Sequence, residues 1–132
     1  DHIMSIYTEP EQAARYASES GIDAVAVAVG NVHRLKTPTC TIEYDRLAQI
    51  EQLVEIPLVI HGTTGIPEAD IVRLKQTRIA KFNVGTSLRM VVGNSLRKAM
   101  LAEPEQFDRS YFMRKIMPDI RAEATRIIQL LA

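Results

Sequence analysis

Leu58-Val59-Ile60-His61-Gly62-Thr63-Thr64-Gly65-Ile66-Pro67 is the stretch on which the fold turns. A short apolar run after Pro57 stops at a histidine, two glycines bracket two threonines, and Pro67 opens a helical pattern with Glu68 and Asp70 in its first turn. A buried parallel strand that ends, turns tightly and feeds a helix has this pattern. Backbone N–H groups gathered by a glycine turn at a helix N-terminus form an anion site, and phosphate is the usual anion. His61, the last residue of the strand, points into the same cleft. One strand end thus offers a candidate metal ligand beside a candidate phosphate cradle.

Upstream, Ala24 to Val29 is an unbroken run of Ala and Val, predicted as a parallel strand buried on both faces and followed directly by Gly30-Asn31-Val32-His33-Arg34. Downstream, Ile79 to Val84 predicts a third strand that runs into Gly85-Thr86-Ser87. Helical patterns fill the intervals. Thr8-Glu9-Pro10-Glu11 reads as a capped start, with Thr8 as N-cap and Gly21 as the stop. Tyr44 to Val54 sets Leu47, Ile50, Leu53 and Val54 on one face, and Pro67 to Gln76 carries Ile71, Val72 and Leu74. A helix over 88–101 follows, and Asp108-Arg109-Ser110 caps a last one with a stripe of Ile116, Ile120, Ala124, Ile127, Ile128 and Leu131. Pro118 allows a kink there at most.

Strand and helix alternating at about 25–30 residues per unit imply a right-handed parallel β/α architecture. Only three strands are legible, and an open three-stranded parallel sheet leaves apolar edges unpaired. The chain therefore reads as part of a larger sheet or barrel, completed by more polypeptide or by a second chain.

Composition narrows the function. Sixteen basic and sixteen acidic side chains cancel in 132 residues, which argues against a nucleic-acid or anionic-membrane surface, so a bound anion is held locally. Hydrophobic residues make up 46%, near the globular norm. No apolar run approaches the roughly 18–20 residues needed to span a bilayer, and no signal peptide is read at Asp1. The single cysteine, Cys40, makes no internal disulfide and fits a reducing cytoplasm, where it reads as a small packed hydrophobe.

Three consecutive strands end in residues with chemical potential: His33, then His61 with Gly62, Thr63, Thr64 and Gly65, then Asn83 with Val84, Gly85 and Thr86. Neighbouring parallel strands lie about 4.8 Å apart, so residues past their carboxyl ends share one cleft. Active sites sit at that edge in barrels and open α/β sheets alike. Two imidazoles from adjacent strand ends suit one divalent ion, but leave it short of ligands. Either histidine also reads as a hydrogen-bonded structural residue, and the Gly/Thr loops as plain turns. Arg34 is a surface cation or an added anion contact. Lys81 alternates with buried neighbours and is expected to face the helix layer.

At these residues the chain resembles the metal-dependent class II fructose- and tagatose-bisphosphate aldolase family. The resemblance is carried by Tyr7-Thr8-Glu9-Pro10-Glu11, Gly21-Ile22-Asp23-Ala24-Val25-Ala26-Val27, Ile56-Pro57-Leu58-Val59-Ile60-His61-Gly62 and Lys81-Phe82-Asn83-Val84, in the family's order along essentially the whole chain. It implies a (β/α)8 TIM barrel, with 1–132 supplying about strands six to eight and the closing helices of one domain. It further implies Zn2+, or another divalent metal, held by three histidines, two of them matched by His33 and His61. That metal would polarise the carbonyl of dihydroxyacetone phosphate as a Lewis acid while a ketose bisphosphate is cleaved or formed. Gly62, Thr63, Thr64 and Gly65 match the loop that holds the triose phosphate, and Asn83, Val84, Gly85 and Thr86 match the segment that completes the site.

Four positions depart from the family pattern. Arg34 stands where glycine follows the first histidine, Thr63 and Thr64 where the loop reads Gly-Ser, and Gly85 where a polar Asn or Asp contacts substrate. The family's catalytic aspartate, adjacent first zinc histidine and mobile loop belong to the N-terminal half, so no catalytic residue is expected in this chain, and these residues alone should be inactive. The expected partners are a sugar phosphate, the N-terminal half of the barrel and further copies of the protein. A cytoplasmic setting is expected. The alternative is a non-catalytic relative that binds a sugar phosphate or serves as a structural subunit, and a third reading is a metal-free phosphate-binding barrel.

Overall fold

The computed structural model describes residues 7–31 and 40–132. They fall into two compact units, 1–84 and 85–132. In the first, the order is α1 (Pro10–Ser20), β1 (Val25–Val27), α2 (Tyr44–Leu53), β2 (Leu58–Ile60), a 3-10 turn (Thr63–Gly65), α3 (Glu68–Leu74) and β3 (Ile79–Phe82). The second holds α4 (Thr86–Ala102) and α5 (Arg109–Leu131).

The three strands form one parallel sheet in the order β1-β2-β3. Val25, Ala26 and Val27 pair with Leu58, Val59 and Ile60. Across the other edge Leu58 pairs with Ile79, then Val59 with Lys81 and Ile60 with Phe82, so Ala80 is an extra residue in a bulge. β2 is central and buried along its whole length, whereas β1 buries Val25 and Val27 and exposes Ala26. The two-faced burial expected of 24–29 is thus met by one face among the described residues. Lys81 is exposed at the β3 edge.

Valine and isoleucine hold these strands because branched side chains pack on a pleated surface. Leu47 and Ile50 from α2 and Leu74 from α3 are fully buried, as are Leu58 and Ile60 of β2. Each such side chain contributes about 1.5–3 kcal/mol by leaving water. Leu53 and Val72, expected on the buried faces, are each 47% exposed. Arg78 closes the end of α2 by donating to the carbonyls of Val54 and Glu55, both at 2.7 Å.

The start of α1 differs from its sequence signature. Glu9, not Thr8, is the N-cap, and no side chain caps the helix. Thr8 instead pairs with Ala28 just past β1: its N–H donates to the Ala28 carbonyl, and its Oγ1 accepts from the Ala28 N–H, both at 2.8 Å. Two bonds to the strand end outweigh one cap. Pro10, with its φ preset, opens the helix, and Gly21 ends it in the left-handed region at φ 65°.

In the second unit α4 and α5 pack through Ala99, Phe112 and Ile116, flanked by Val92, Leu96, Tyr111 and Ile120. Asp108 caps α5 as expected, its Oδ1 accepting from the Ser110 N–H at 2.8 Å. Pro118 lies inside α5, which continues to Leu131. Of the apolar stripe on α5, Ile116 is buried while Ile128 is 66% exposed. Among the described residues no helix is long and apolar enough to cross a membrane.

Candidate functional site

β2 delivers His61 at the carboxyl edge of the sheet, as the residue directly after Ile60. The chain then turns at Gly62, whose φ of 69° lies in the region that glycine adopts without a Cβ penalty. That turn ends the ladder and leaves the imidazole half-buried at the strand end.

Asn83 meets His61 from the end of β3. Its N–H donates to the Ile60 carbonyl at 2.8 Å, extending the strand pairing by one step. Its side-chain Nδ2 lies 3.2 Å from His61 Nδ1 and 3.3 Å from Nε2. Near-equal distances to both ring nitrogens place the amide over the imidazole face, because an in-plane approach between them would collide with the ring carbon. The amide covers one side of the ring.

The Gly/Thr loop forms a single 3-10 turn in which the Ile66 N–H donates to the Thr63 carbonyl at 3.0 Å. Its two threonines differ. Thr63 is buried and its Oγ1 donates to the Asn83 carbonyl at 3.3 Å, tying the loop to the end of β3. Thr64 is half-buried. Gly65 is buried, and its carbonyl accepts from the Cys40 N–H at 3.2 Å and from Cys40 Sγ at 2.9 Å. Cys40 is a buried, packed thiol, as its sequence context suggests.

Asn31, which the sequence reading passed over, is buried just past β1. Its Oδ1 accepts from the Val29 N–H at 2.7 Å, and its Nδ2 donates to the Val27 carbonyl at 3.3 Å and to the His61 carbonyl at 2.7 Å. The preceding Gly30 has φ 103°, and a Cβ there would run into the Thr41 carbonyl oxygen. An asparagine directly after a glycine at the end of an apolar strand was the available signal, since Asn bonds to nearby backbone groups in turns.

His33 and Arg34 lie outside the described residues. Val84 is half-buried at the end of the first unit. Gly85 is the N-cap of α4 and Thr86 its first residue, both half-buried. A Cβ added at Gly85 would meet nothing nearer than the Arg89 guanidinium at 4.0 Å, so this position has room for a side chain.

The model of class II fructose-bisphosphate aldolases matches residues 1–132. This chain belongs to that family. Its structure is similar to the YdjI aldolase from Escherichia coli K12, at 27% identity with a TM-score of 0.71 over 95% of this chain and 44% of that one. It also matches the fold of a putative fructose-1,6-bisphosphate aldolase from Coccidioides immitis, at 24% identity with a TM-score of 0.76 over 95% of this chain and 43% of that one. A fructose-bisphosphate aldolase from Campylobacter jejuni shares the fold as well, at 20% identity with a TM-score of 0.71 over 96% of this chain and 46% of that one. This aldolase-family chain spans less than half the length of these structures. Its three parallel β/α units correspond to part of their (β/α)8 barrels.

Class II aldolases depend in general on a divalent metal. The donor chemistry here fits one: His61 offers imidazole nitrogen, a standard ligand for zinc and its neighbours. Its backbone is fixed by Asn31 and its ring is covered by the Asn83 amide. Among the described residues no three His, Cys, Asp or Glu side chains gather into a metal-sized cluster. His61 therefore fits as one ligand of a set that needs others.

Proposed function

We propose that this chain is the C-terminal part of one class II aldolase barrel domain and serves the reversible cleavage of a ketose bisphosphate into dihydroxyacetone phosphate and an aldehyde. The observation that carries the reading is the family match over 1–132, taken with His61 at the carboxyl end of the central strand. His61 and His33 would hold the divalent metal, zinc or a similar ion. That ion, when bound, supplies Lewis-acid polarisation of the substrate carbonyl.

The chain's own groups bind and orient. Gly62, Thr64 and Gly65 present the turn to the triose phosphate, while Thr63 keeps that turn seated against Asn83. Asn83, Val84, Gly85 and Thr86 line the substrate, with Arg34 as an added cation for a phosphate. Asn83 holds the imidazole of His61 in one orientation. Proton transfer is assigned to groups outside this chain, and the working protein is a cytoplasmic homo-oligomer.

Metal analysis and an aldol-cleavage assay on the assembled barrel, with His61→Ala alongside, test this. About one divalent ion per barrel, lost with activity in the variant, is the expected result. Full activity and metal content in His61→Ala would remove His61 as a ligand. The second reading, a non-catalytic sugar-phosphate receptor, is favoured by the room left at Gly85, where a substrate-contacting side chain is lacking. It predicts sugar-phosphate binding with no cleavage at any metal concentration.

A further inference from the structure

We propose that Asn31 is a positioning residue for the metal ligand His61, an inference that rests on the aldolase reading above. The Asn31 side chain has one workable orientation. Oδ1 faces an N–H, from Val29, and Nδ2 faces two carbonyls, those of Val27 and His61. Exchanging the two ends would set oxygen against two oxygens, so the amide is locked. The donor bond to the His61 carbonyl, at 2.7 Å, is the shorter of its two.

The consequence reaches the imidazole through the backbone. His61 follows the last paired residue of β2, where the ladder stops and the chain bends at Gly62. A carbonyl at such a point is normally left to water or a turn. Here it is taken by a side chain from the neighbouring strand end, and this fixes the peptide plane on which the His61 Cα–Cβ direction depends. Gly30 lies so close to the Thr41 carbonyl that a Cβ there would collide with it, so only glycine fits the turn that leads into Asn31. Partners of this kind, one step behind the ligands, typically govern metal affinity by about 10–100-fold.

Cobalt(II) titration of the assembled barrel, following the visible ligand-field bands and the affinity together, tests the role. Asn31→Asp keeps the shape and the acceptor for Val29 but replaces the donor to His61. Asn31→Ser keeps a hydroxyl near Val29 and cannot reach His61. Ile50→Val, a small cavity in α2 away from the strand ends, controls for general destabilisation, matched by thermal midpoint. Both Asn31 variants are expected to bind cobalt about 10–100-fold more weakly with altered bands, while Ile50→Val binds like wild type. Either Asn31 variant that folds and binds cobalt as wild type overturns the proposal. So does an equal loss in Ile50→Val, or failure of both Asn31 variants to fold where Ile50→Val folds, since the residue would then be purely structural. Wild type that binds no cobalt overturns the aldolase reading and this inference together, whereas unchanged variants beside a binding wild type overturn only this one.

Discussion

The hydroxyl of Thr63 donates to the carbonyl oxygen of Asn83, at 3.3 Å, and so joins the turn after the central strand to the end of its neighbour. Two threonines adjacent in sequence thereby have different work. Thr63→Val keeps the shape but leaves the Asn83 carbonyl without this donor, at a cost of about 1 kcal/mol. Urea unfolding should register that loss, with sugar-phosphate affinity moving by less than about threefold, a fraction of 1 kcal/mol. Thr64→Val should weaken sugar-phosphate binding measured by calorimetry more than Thr63→Val does. The opposite ranking would mean that Thr63, although buried, is the residue facing the phosphate.

Asn83 does more than accept that bond. Its amide lies over the His61 ring, while its backbone N–H is already fixed to Ile60. Asn83→Ala therefore retains the strand pairing and removes only the cover. The ring then gains rotamer freedom that metal binding must withdraw, an entropic cost of order 0.5–1 kcal/mol. The expected result is a severalfold loss of cobalt affinity with an unchanged thermal midpoint. A large fall in the midpoint would show that the amide supports the fold instead of the ring.

How much of this was legible beforehand depends on the kind of interaction. The strands, their parallel order and His61 at a strand end follow from apolar runs and glycine punctuation, which are local signals. The Asp108 cap was equally local. Thr8 defeated the same logic because its partner, Ala28, is twenty residues away and no spacing rule connects them. Asn31 was missed for the same reason: its decisive bond reaches thirty residues, to the His61 carbonyl. Burial of 24–29 on both faces was inferred from an unbroken apolar run, which cannot distinguish a covered face from one awaiting a neighbour. Ala26 is exposed among the described residues. His33 and Arg34 rest on the sequence pattern alone.

Tyr44 offers a prediction in alkali. Its hydroxyl donates to Asp70 Oδ1 at 2.8 Å, and the Arg73 guanidinium stacks 3.5 Å from the ring centre. Burial first, then the hydrogen bond and negative charge of Asp70, push the phenol from 10.0 up to about 12, against the opposing charge of Arg73. A raised folded value favours the protonated form. The stabilisation is therefore present below about pH 10 and is lost as the pH rises through about 12. Phenolate absorbance should show a tyrosine that ionises only near that upper limit, and Tyr44→Phe should remove this last step. If the step persists in Tyr44→Phe, the assignment to Tyr44 fails.

Glu123 gives the mirror case in acid, within the pair α4 and α5. Arg126 donates to it twice, through Nε at 2.9 Å and a terminal nitrogen at 3.0 Å. These bonds hold its carboxyl below the ordinary 4.5 against the opposing effect of burial, with the Arg126 charge and a hydrogen bond from Ser87 assisting. Ser87 lies on α4, so the carboxylate also links the two helices. A depressed folded value means that the stabilisation is present above about pH 4.5 and is lost as the pH falls through the lower folded value. Arg126 is half exposed, so water screens the pair and its worth is only about 0.5 kcal/mol. Glu123→Gln should be less stable than wild type by about that amount at neutral pH, with the gap narrowing as carboxylates protonate near pH 3. Urea unfolding at the two pH values reads both. A gap of the same size at each would assign the effect to packing or to the Ser87 contact, because only an ionised carboxylate loses its advantage in acid.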